Sequence, residues 1–290
     1  LLFKFILFAD DTNLLLSNKN IQDLMRVANQ EIQKISDWLK VNKLSLNIKK
    51  THFVLFHFRQ KYIPNNLCLK NYNSVIEKVS YTKFLGIVLH ENLTWQTHIQ
   101  TLERKISKNA GILKALQSKV PIYVLHHLYN ALIYPYLQYC NIVWASQQSV
   151  HTKRLFILQK KAIRIVCNAK WNAPSTPLFN QLHTLKLHDI NKLQTGCFMY
   201  KIMNDNLPDL FNYNFILNQQ VHNYNTRHSN NIHEIRCNTT TRKNTVRYLG
   251  TSLWNSLPLA LKIKTSVSCF RYTYKKCCNL PIFKTCKIFS

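Results

Sequence analysis

The first sixteen residues constrain the fold most, because they contain two apolar runs separated by a short polar segment. Residues 1–8 have the apolar and aromatic density of a buried strand, and residues 14–16 predict a second short strand. Residues 10–13, Asp-Asp-Thr-Asn, are predicted to form the turn of a hairpin between them. Asp and Asn side chains hydrogen-bond to nearby backbone, so a purely structural turn is one interpretation of this segment.

The adjacent acids Asp10 and Asp11 also suggest a metal site. Two carboxylates fixed at a hairpin tip repel each other, and a divalent cation between them and their neighbours relieves that repulsion. The residues of the hairpin leave both interpretations open, and the choice between them depends on the rest of the chain.

The net charge of the 290-residue chain is +27, from 39 Lys and Arg against 12 Asp and Glu. Such a charge favours polyanionic partners, of which nucleic acid is the most common. No Asp or Glu occurs at residues 104–188 or 235–290, so the excess is spread along the chain. This distribution favours a nucleic-acid groove over a disordered basic tail, and a generically basic surface is the alternative.

Cysteine usage and hydropathy exclude several other classes of protein. The nine cysteines form no Cys-x-x-Cys pair, so we predict no zinc site and an intracellular protein of the nucleus or cytoplasm that is not secreted. No run approaches the roughly 18 apolar residues of a membrane span, so we expect no membrane partner. The apolar start at Leu1 suggests the back part of a longer polypeptide.

Apolar periodicity predicts the order of the remaining elements. An amphipathic helix is expected at residues 21–39, with Asn20 as its N-cap, and short strands are expected to follow it up to residue 89. From residue 95 onward the pattern of apolar residues changes to one that predicts helices. Residues 221–262 suggest short strands and ordered loops. The expected strands lie within residues 44–58, 77–79 and 84–89, and the expected helices at 95–116, 121–133, 153–166 and 182–203.

The helix expected at residues 153–166 has an unusual charge pattern. At 100° per residue, one arc is basic and the other is apolar, with Ile157 as the single apolar residue on the basic side. Such a stripe suits a phosphate backbone, and a solvated helix surface is the alternative. The basic arc consists of Lys153, Arg154, Lys160, Lys161 and Arg164.

The order of segments along the chain resembles the C-terminal part of a reverse transcriptase of non-LTR, LINE-type, jockey-like retrotransposons. The first motif is Phe8-Ala9-Asp10-Asp11, which matches the Tyr/Phe-Ala-Asp-Asp box of the polymerase palm hairpin. The box alone is a weak signal, but a series of further segments follows it in the family's order and spans essentially the whole chain. These segments include KLSLNIKKTHFVLF, KFLGIVLHENLTWQTHI, LIYPYLQYCNIVWA, LQKKAIRIV, YNTRHS and GTSLWNSLP.

The resemblance implies an α+β fold in three parts. Residues 1–90 would form a truncated polymerase palm, an antiparallel sheet with a packed helix. Residues 91–172 would form a mostly helical, thumb-like region that holds template and primer by their phosphates. Residues 173–290 would form a mixed, mainly helical C-terminal region.

The resemblance also implies a chemistry and a set of site residues. Asp10, as the stronger ligand, and Asp11 would help to hold two Mg²⁺ ions that support nucleotidyl transfer from a dNTP to the 3′-hydroxyl of a DNA primer on an RNA template. Phe8 would lie beside the primer terminus. Lys50 would lie near the incoming triphosphate, with an ordinary surface lysine as the alternative.

Two further groups of residues match nucleic-acid contacts of the family. Phe84, Leu85 and Gly86 resemble the primer-grip hairpin, where a glycine permits close approach of the primer backbone; an ordinary tight hairpin is the alternative. The thumb contacts would come from the basic exterior of the helix after residue 95 and from the basic arc described above. The former includes Arg104, Lys105 and Lys108.

The family's third metal-binding carboxylate and its fingers lie upstream of the hairpin box, and this chain begins nine residues before Asp10. We therefore expect that this chain alone does not polymerise. The alternative function is a non-catalytic, basic nucleic-acid-binding remnant, in which the palm strands serve only as scaffold. A structural protein whose charge reflects composition bias is a third, weaker possibility.

Overall fold

The computed structural model of the chain describes residues 3–64, 67–145, 150–221, 224 and 227–279, apart from the side chains of residues 212, 278 and 279. The chain divides into two compact units, Leu1–Thr97 and His98–Ser290, which we call the N-terminal unit and the helical unit. The mixture of helices and small sheets confirms that the fold contains both α and β structure. No helix in the described ranges is long and apolar enough to cross a membrane.

The N-terminal unit contains one long helix and three small sheets. Strands β1 and β2 form an antiparallel hairpin, β3 pairs parallel to β5 while β4 pairs antiparallel to it, and β6 and β7 form a second hairpin. The resemblance implies an antiparallel palm sheet with a packed helix; the described strands form three small sheets, one of which contains a parallel pair, and the palm architecture stays a prediction. The elements are β1 (Lys4–Phe8), β2 (Asp11–Leu15), α1 (Ile21–Val41), β3 (His52–Phe53), β4 (Leu69–Asn71), β5 (Ser74–Lys78), β6 (Tyr81–Phe84) and β7 (Ile87–His90).

Helix α1 confirms the amphipathic helix predicted at residues 21–39. The side chain of Asn20 caps it by accepting a hydrogen bond from the Gln22 backbone N–H at 2.8 Å. Met25, Ala28 and Ile32 pack in one apolar cluster with residues of the three-stranded sheet. The sheet residues of that cluster are Leu69 and Ile76. Burial of the apolar stripe thus attaches α1 to β4 and β5.

A strand is expected within residues 44–58, and it is confirmed only as the short β3 (His52–Phe53), because the alternating residues 44–48 do not form a strand. Backbone hydrogen bonds from Lys50 and Thr51 to the Asn47 carbonyl close a turn there. Of the apolar run at residues 53–58, only Phe53 lies in a strand. Alternating apolar residues form a strand only when a partner strand pairs with their backbone groups. Here the carbonyls of Asn47 and Ile48 instead accept hydrogen bonds within the turn.

The helical unit follows from α2 onward. Its described elements are α-helices apart from the 3₁₀ helix Asp209–Asn214 and an isolated bridge between Leu217 and Ile232. The helices are α2 (Gln96–Leu116), α3 (Ile122–Leu132), α4 (Tyr134–Gln138), α5 (Asn141–Trp144), α6 (Val150–Val166), α7 (Ser175–Gln181), α8 (Leu187–Met203), α9 (Asn218–Val221), α10 (Thr240–Lys243), α11 (Val246–Ser256), α12 (Leu259–Lys262) and α13 (Val267–Asn279).

Helix α8 lies at the centre of this unit and packs against α4, α5, α6, α11 and α13. Around it, aromatic rings fill the core: Phe270 of α13 lies 5.2 Å from the Tyr200 ring and 6.3 Å from the Trp254 ring. Gly250 of α11 allows close approach, because a Cβ there would come within 2.7 Å of Met199 Sδ. The large buried rings make this core far more extensive than the cluster beneath α1.

Short strands and ordered loops are expected within residues 221–262. From residue 240 onward this is wrong, because α10, α11 and α12 lie there, whereas the described residues from 227 to 239 form a loop with an isolated bridge at Ile232. Residues 222, 223, 225 and 226 lie outside the described residues. The Asn and Thr content that suggested loops instead supplies helix caps, as Thr239 does for α10. The domain boundaries suggested at residues 90 and 172 stay predictions. Helices from both sides of residue 172, α6, α7 and α8, pack together within the helical unit.

Candidate functional site

The acid hairpin, which we define as β1, β2 and the turn between them, places the two adjacent carboxylates at its tip. Phe8 pairs with Asp11, so the turn consists of Ala9 and Asp10. The turn predicted at residues 10–13 is therefore wrong, since Asp11 already belongs to β2. Ala9 has a φ of 50°, a left-handed conformation that costs a residue with a Cβ about 1–2 kcal/mol.

Both carboxylates of the acid hairpin are exposed, and no described residue hydrogen-bonds to them or pairs with them. The structural interpretation of this turn depends on side chains that hydrogen-bond to their own loop. That arrangement is absent from the described residues. Asp10 and Asp11 are therefore open to a ligand from outside the hairpin.

The donor set of the acid hairpin fits part of a Mg²⁺ site. Carboxylate oxygens are the ligands that Mg²⁺ prefers, and this ion often uses one or two carboxylates together with water and substrate phosphates. Within the described ranges, no group of three or more His, Cys, Asp or Glu side chains could hold a metal. The hairpin can thus contribute to a metal site but does not enclose one.

Strand β1 of the acid hairpin is exposed, which corrects the prediction that residues 1–8 form a buried strand, and β2 is exposed apart from the half-buried Asn13 and Leu14. Leu7 and Phe8 are 68% and 59% exposed, and every residue of β1 is at the surface. Phe3 and Leu16, at the base of the hairpin, pack against the α1 cluster. In the described chain, the hairpin is thus attached at its base and open along its strands. The resemblance implies that Phe8 packs under the hairpin beside the primer terminus, but its side chain is exposed.

Lys50 lies in the turn at residues 47–51 that follows α1, and its side chain is exposed. Three backbone hydrogen bonds fix this turn, and a fourth bond runs from Thr51 Oγ1 to the Asn47 carbonyl at 2.9 Å. The structure therefore holds the Lys50 backbone while leaving its ammonium group free to reach an anion. Its proposed role near a triphosphate stays a prediction.

Phe84, Leu85 and Gly86 form the end of a tight hairpin. Phe84 pairs with Ile87, so Leu85 and Gly86 make a two-residue turn, with φ values of 44° and 85°. Positive φ at both positions is the pattern of a type I′ turn, the turn that matches the twist of paired strands. The strand predicted over residues 84–89 is confirmed in part: β7 covers residues 87–90, but the chain reverses at Leu85 and Gly86.

Hydrogen bonds attach this second hairpin to the segment around β3. His52 Nε2 lies 2.7 Å from Thr82 Oγ1, and the Val79 N–H donates to the Phe53 carbonyl. On the far side, the His57 N–H donates to the Glu91 carbonyl. The turn at Leu85 and Gly86 is therefore carried on a fixed support, as a surface that positions a ligand backbone requires.

Helix α2 presents a basic surface opposite its buried side. Ile99, Leu102, Ile106 and Leu113 are buried, whereas Arg104, Lys105 and Lys108 are exposed. The Lys105 ammonium lies 5.3 Å from the centre of the Tyr136 ring, within cation–π range. These three cations match the positions predicted for phosphate contacts.

Helix α6 confirms the predicted separation of apolar and basic faces. Leu155, Ala162, Ile163 and Val166 are buried, and Ile157 is 48% exposed on the basic side, as predicted. We call the five cations of the other arc the α6 stripe. Its members are Lys153, Arg154, Lys160, Lys161 and Arg164.

Two members of the α6 stripe also have contacts within the protein. Lys160 Nζ lies 4.8 Å from the centre of the Phe156 ring, and Arg164 Nε donates to the Ala173 carbonyl at 2.8 Å. Arg164 therefore fixes a loop as well as adding charge. The other three members, Lys153, Arg154 and Lys161, are exposed and make no hydrogen bond, ion pair or ring contact with a described residue.

Sequence reasoning did not identify Gln159, which lies on the buried side of α6. It is fully buried and donates to Tyr129 Oη at 3.0 Å and to the Leu185 carbonyl at 2.9 Å. Its side-chain oxygen accepts from the Leu187 N–H. The signal in the sequence is a single amide among apolar positions of an amphipathic helix. Gln159 holds the helix that carries the α6 stripe in place.

Comparison with curated proteins reveals relatives among mobile elements. The RNA-directed DNA polymerase from mobile element jockey of Drosophila melanogaster is 25% identical over 191 residues, 64% of this chain and 20% of that protein. The probable RNA-directed DNA polymerase from transposon BS of the same organism is 23% identical over 184 residues, 62% of this chain and 20% of that protein.

A third relative is a Pol polyprotein from a type-1 retrotransposable element of Nasonia vitripennis, 23% identical over 145 residues, 47% of this chain and 35% of that protein. No family model and no solved structure matches the chain. The chain thus spans about a fifth to a third of the length of these relatives. The comparisons confirm that the chain resembles the RNA-directed DNA polymerases of jockey-like, LINE-type retrotransposons.

Proposed function

We propose that this chain forms part of an RNA-directed DNA polymerase of a retrotransposon, which transfers nucleotides from dNTPs to the 3′-hydroxyl of a DNA primer along an RNA template. The named relatives support this assignment, although the chain covers about a fifth of the two polymerases. We place the protein inside the cell, in the nucleus or the cytoplasm. The described cysteines are unpaired, as they would be in a reducing compartment.

The observation that carries the proposal is the open pair of carboxylates at the tip of the acid hairpin, with Asp10 in the two-residue turn and Asp11 at the start of β2. A tight turn fixes the spacing of Asp10 and Asp11, and no described residue competes for their oxygens. Asp10 would be the stronger ligand of Mg²⁺ and Asp11 the supporting one. Mg²⁺ bound there would stabilise the negative charge that develops on the reacting phosphate.

The other predicted residues act through position and charge in this proposal. Lys50, on its fixed turn, would attract the triphosphate of the incoming dNTP. Phe84, Leu85 and Gly86 would contact the primer backbone at a hairpin that hydrogen bonds hold in place. Phe8, exposed beside the acid turn, would contact the primer terminus.

The basic helices would hold the RNA/DNA duplex through its phosphates. Exposed Arg104, Lys105 and Lys108 of α2 and the α6 stripe supply cations, with no acid from residue 104 to residue 188 to neutralise them. Each phosphate contact releases a counterion, so the affinity should fall steeply with salt and depend little on sequence.

A metal-binding experiment tests the role of the acid hairpin. Mn²⁺ can replace Mg²⁺, and electron paramagnetic resonance measures how much of it is bound. We expect weak binding by the chain that falls by about tenfold or more in the Asp10→Asn, Asp11→Asn double variant. Asp23→Asn, which removes an exposed acid of α1 that pairs with Arg26, is the matched control. Equal binding by all three proteins would contradict the proposal.

The alternative function is a non-catalytic nucleic-acid-binding remnant. The observation that favours it is the absence, within the described ranges, of any group of three or more potential metal ligands. In primer extension on an RNA template with Mg²⁺, we expect no extension by this chain alone. Asp10-dependent Mn²⁺ binding then separates the two functions, because the remnant has no need of the acid pair.

A further inference from the structure

The loop between α6 and α7, residues 167–174, presents a tryptophan to solvent. Trp171 is 86% exposed, whereas Trp144 and Trp254 of the same unit are 0% and 5% exposed. Burial of an indole is among the largest hydrophobic contributions that a residue offers to a fold. Because its indole is not buried, Trp171 contributes almost no hydrophobic stabilisation to the helical unit. Its exposure therefore favours a role in binding a ligand.

The loop that carries Trp171 has a defined conformation. The Ala173 N–H donates to the Lys170 carbonyl at 3.0 Å, which places Trp171 and Asn172 at the tip of a turn. Arg164 Nε donates to the Ala173 carbonyl at 2.8 Å, which fixes one side of that turn to α6. The indole is thus displayed on a preorganised loop, which lowers the entropic cost of binding.

The start of the loop is fixed as well. The Ala169 N–H donates to the Arg164 carbonyl at 2.9 Å, and Asn168 adopts a left-handed φ of 50°. Gln117 Nε2 donates to Asn168 Oδ1 at 2.9 Å, so the segment after α2 supports the loop from a second side. Lys114 Nζ in turn contacts Gln117 Oε1 at 2.7 Å, which brings a cation of α2 to this support.

The charge around Trp171 selects the kind of ligand. Lys170 precedes it and Lys161 and Arg164 lie on the adjoining end of the α6 stripe, while no acid occurs at residues 104–188. In the sequence, the polar residues Lys170 and Asn172 flank Trp171. They do not extend the indole into a wider apolar patch of the kind that protein partners bury. An aromatic platform among cations is the arrangement that binds single-stranded nucleic acid.

We propose that Trp171 stacks on an unpaired base of a single nucleic-acid strand, at the point where that strand leaves the duplex held by the α6 stripe. Bases within a duplex are already stacked on their neighbours, so an unpaired base is the one that offers a free face. This inference rests on the proposed nucleic-acid function and adds a site for the unpaired part of the template or primer.

Fluorescence anisotropy with four labelled probes tests the inference. The probes are a 12-nucleotide RNA, the same sequence as DNA, a blunt RNA/DNA duplex, and that duplex with a four-nucleotide overhang. We expect Trp171→Ala to weaken binding of the single strands and of the overhang duplex by about 5- to 100-fold. The blunt duplex should change by less than twofold, and Trp171→Phe should retain most of the single-strand affinity.

The comparison of RNA with DNA tells which unpaired strand the site prefers. Trp38→Ala, at an exposed tryptophan of α1, is the matched control and should change no affinity. Unchanged single-strand and overhang affinity in Trp171→Ala, with duplex binding intact, would overturn the inference but leave the proposed function standing. An equal loss of affinity for all four probes in Trp171→Ala would also overturn it. So would insertion of Trp171 into anionic lipid vesicles, if Trp171→Ala keeps its affinity for the single strands. Failure of the unaltered chain to bind any probe at low salt would instead remove the proposed function.

Discussion

The two units of this chain differ in how they use their apolar residues. In the N-terminal unit, the cluster beneath α1 contains five buried residues, and the strands of the acid hairpin remain exposed. In the helical unit, many apolar side chains on helices from α2 to α13 are fully or almost fully buried. They include Trp144, Tyr129 and Phe270. The stability of the second unit therefore comes from a large aromatic and aliphatic core, and that of the first from one helix on a small sheet.

The same two units differ in charge. The N-terminal unit has 13 Lys and Arg against 7 Asp and Glu, whereas the helical unit has 26 against 5. The acids that match the polymerase box lie in the less basic unit, and the exposed cationic helices belong to the other. In the proposed function, the N-terminal unit would offer acidic ligands and the helical unit would supply affinity for phosphates.

The largest expected effect contrasts a buried and an exposed phenylalanine. Phe270→Ala should lower the unfolding free energy of the helical unit by about 3–5 kcal/mol, since its ring is fully buried between α8 and α11. Phe8→Ala, at an exposed position, should cost less than about 1 kcal/mol. Urea denaturation measures both. A similar loss for Phe8→Ala would show that β1 is covered, and the contrast between the units would then be wrong.

A second prediction concerns the hydrogen bonds of Gln159. Gln159→Leu leaves the Leu187 N–H and the Leu185 carbonyl without their buried partner and should cost about 2–4 kcal/mol. Gln30→Leu, the same change on the exposed face of α1, should change stability by less than about 0.5 kcal/mol. Thermal unfolding of the two variants gives the difference. Equal melting temperatures would mean that the buried network contributes little to the helical unit.

A third prediction uses two helical glycines of the helical unit. Gly250→Ala should destabilise by about 1–3 kcal/mol, because its Cβ would overlap the buried Met199 side chain and force α11 away from α8. Gly111→Ala should stabilise by about 0.5–1 kcal/mol, because nothing lies within 4 Å of a Cβ there and alanine favours the helix. Chemical denaturation distinguishes the opposite signs. Two stabilising substitutions would mean that α8 and α11 have room to adjust.

Local sequence rules predicted the elements that depend on local patterns. The Asn20 cap of α1, the end of α3 near residue 133 and the two faces of α6 all follow from residues within a few positions of each other. The position of the second hairpin turn also followed from a short motif, since Gly86 adopts the left-handed φ that the turn requires.

Burial and strand pairing could not be predicted, because both depend on distant parts of the chain. The apolar run of β1 suggested a buried strand, yet no described layer covers Leu7 or Phe8. Leu44, Leu46 and Ile48 alternate like a strand, but no partner strand pairs with them. The acid pair was found from its motif, whereas the exposure of Trp171 required the structure.

The smallest expected effect is a loss of stability in acid that arises in the helical unit. Burial lowers the pKa of His98, His126 and His188 below the ordinary 6.5, and Lys105 adds to the effect at His98. These side chains stay neutral in the folded protein at pH values where the unfolded chain binds protons. Since the unfolded state then binds more protons, stability falls as the pH drops below about 6.5.

Substitution of His98 tests this directly, because its ring packs edge-on against buried Trp144 at 5.7 Å. His98→Gln should reduce the loss of unfolding free energy between pH 7.5 and pH 5.5, even if it lowers stability at both pH values. His183→Asn, at an exposed position with a left-handed φ of 48° that asparagine tolerates, should leave the pH dependence unchanged. Because the acid loss is assigned to the helical unit, probes of the N-terminal unit should report a smaller shift of their urea midpoint over this range. A larger shift in the N-terminal unit would reverse the contrast between the two units.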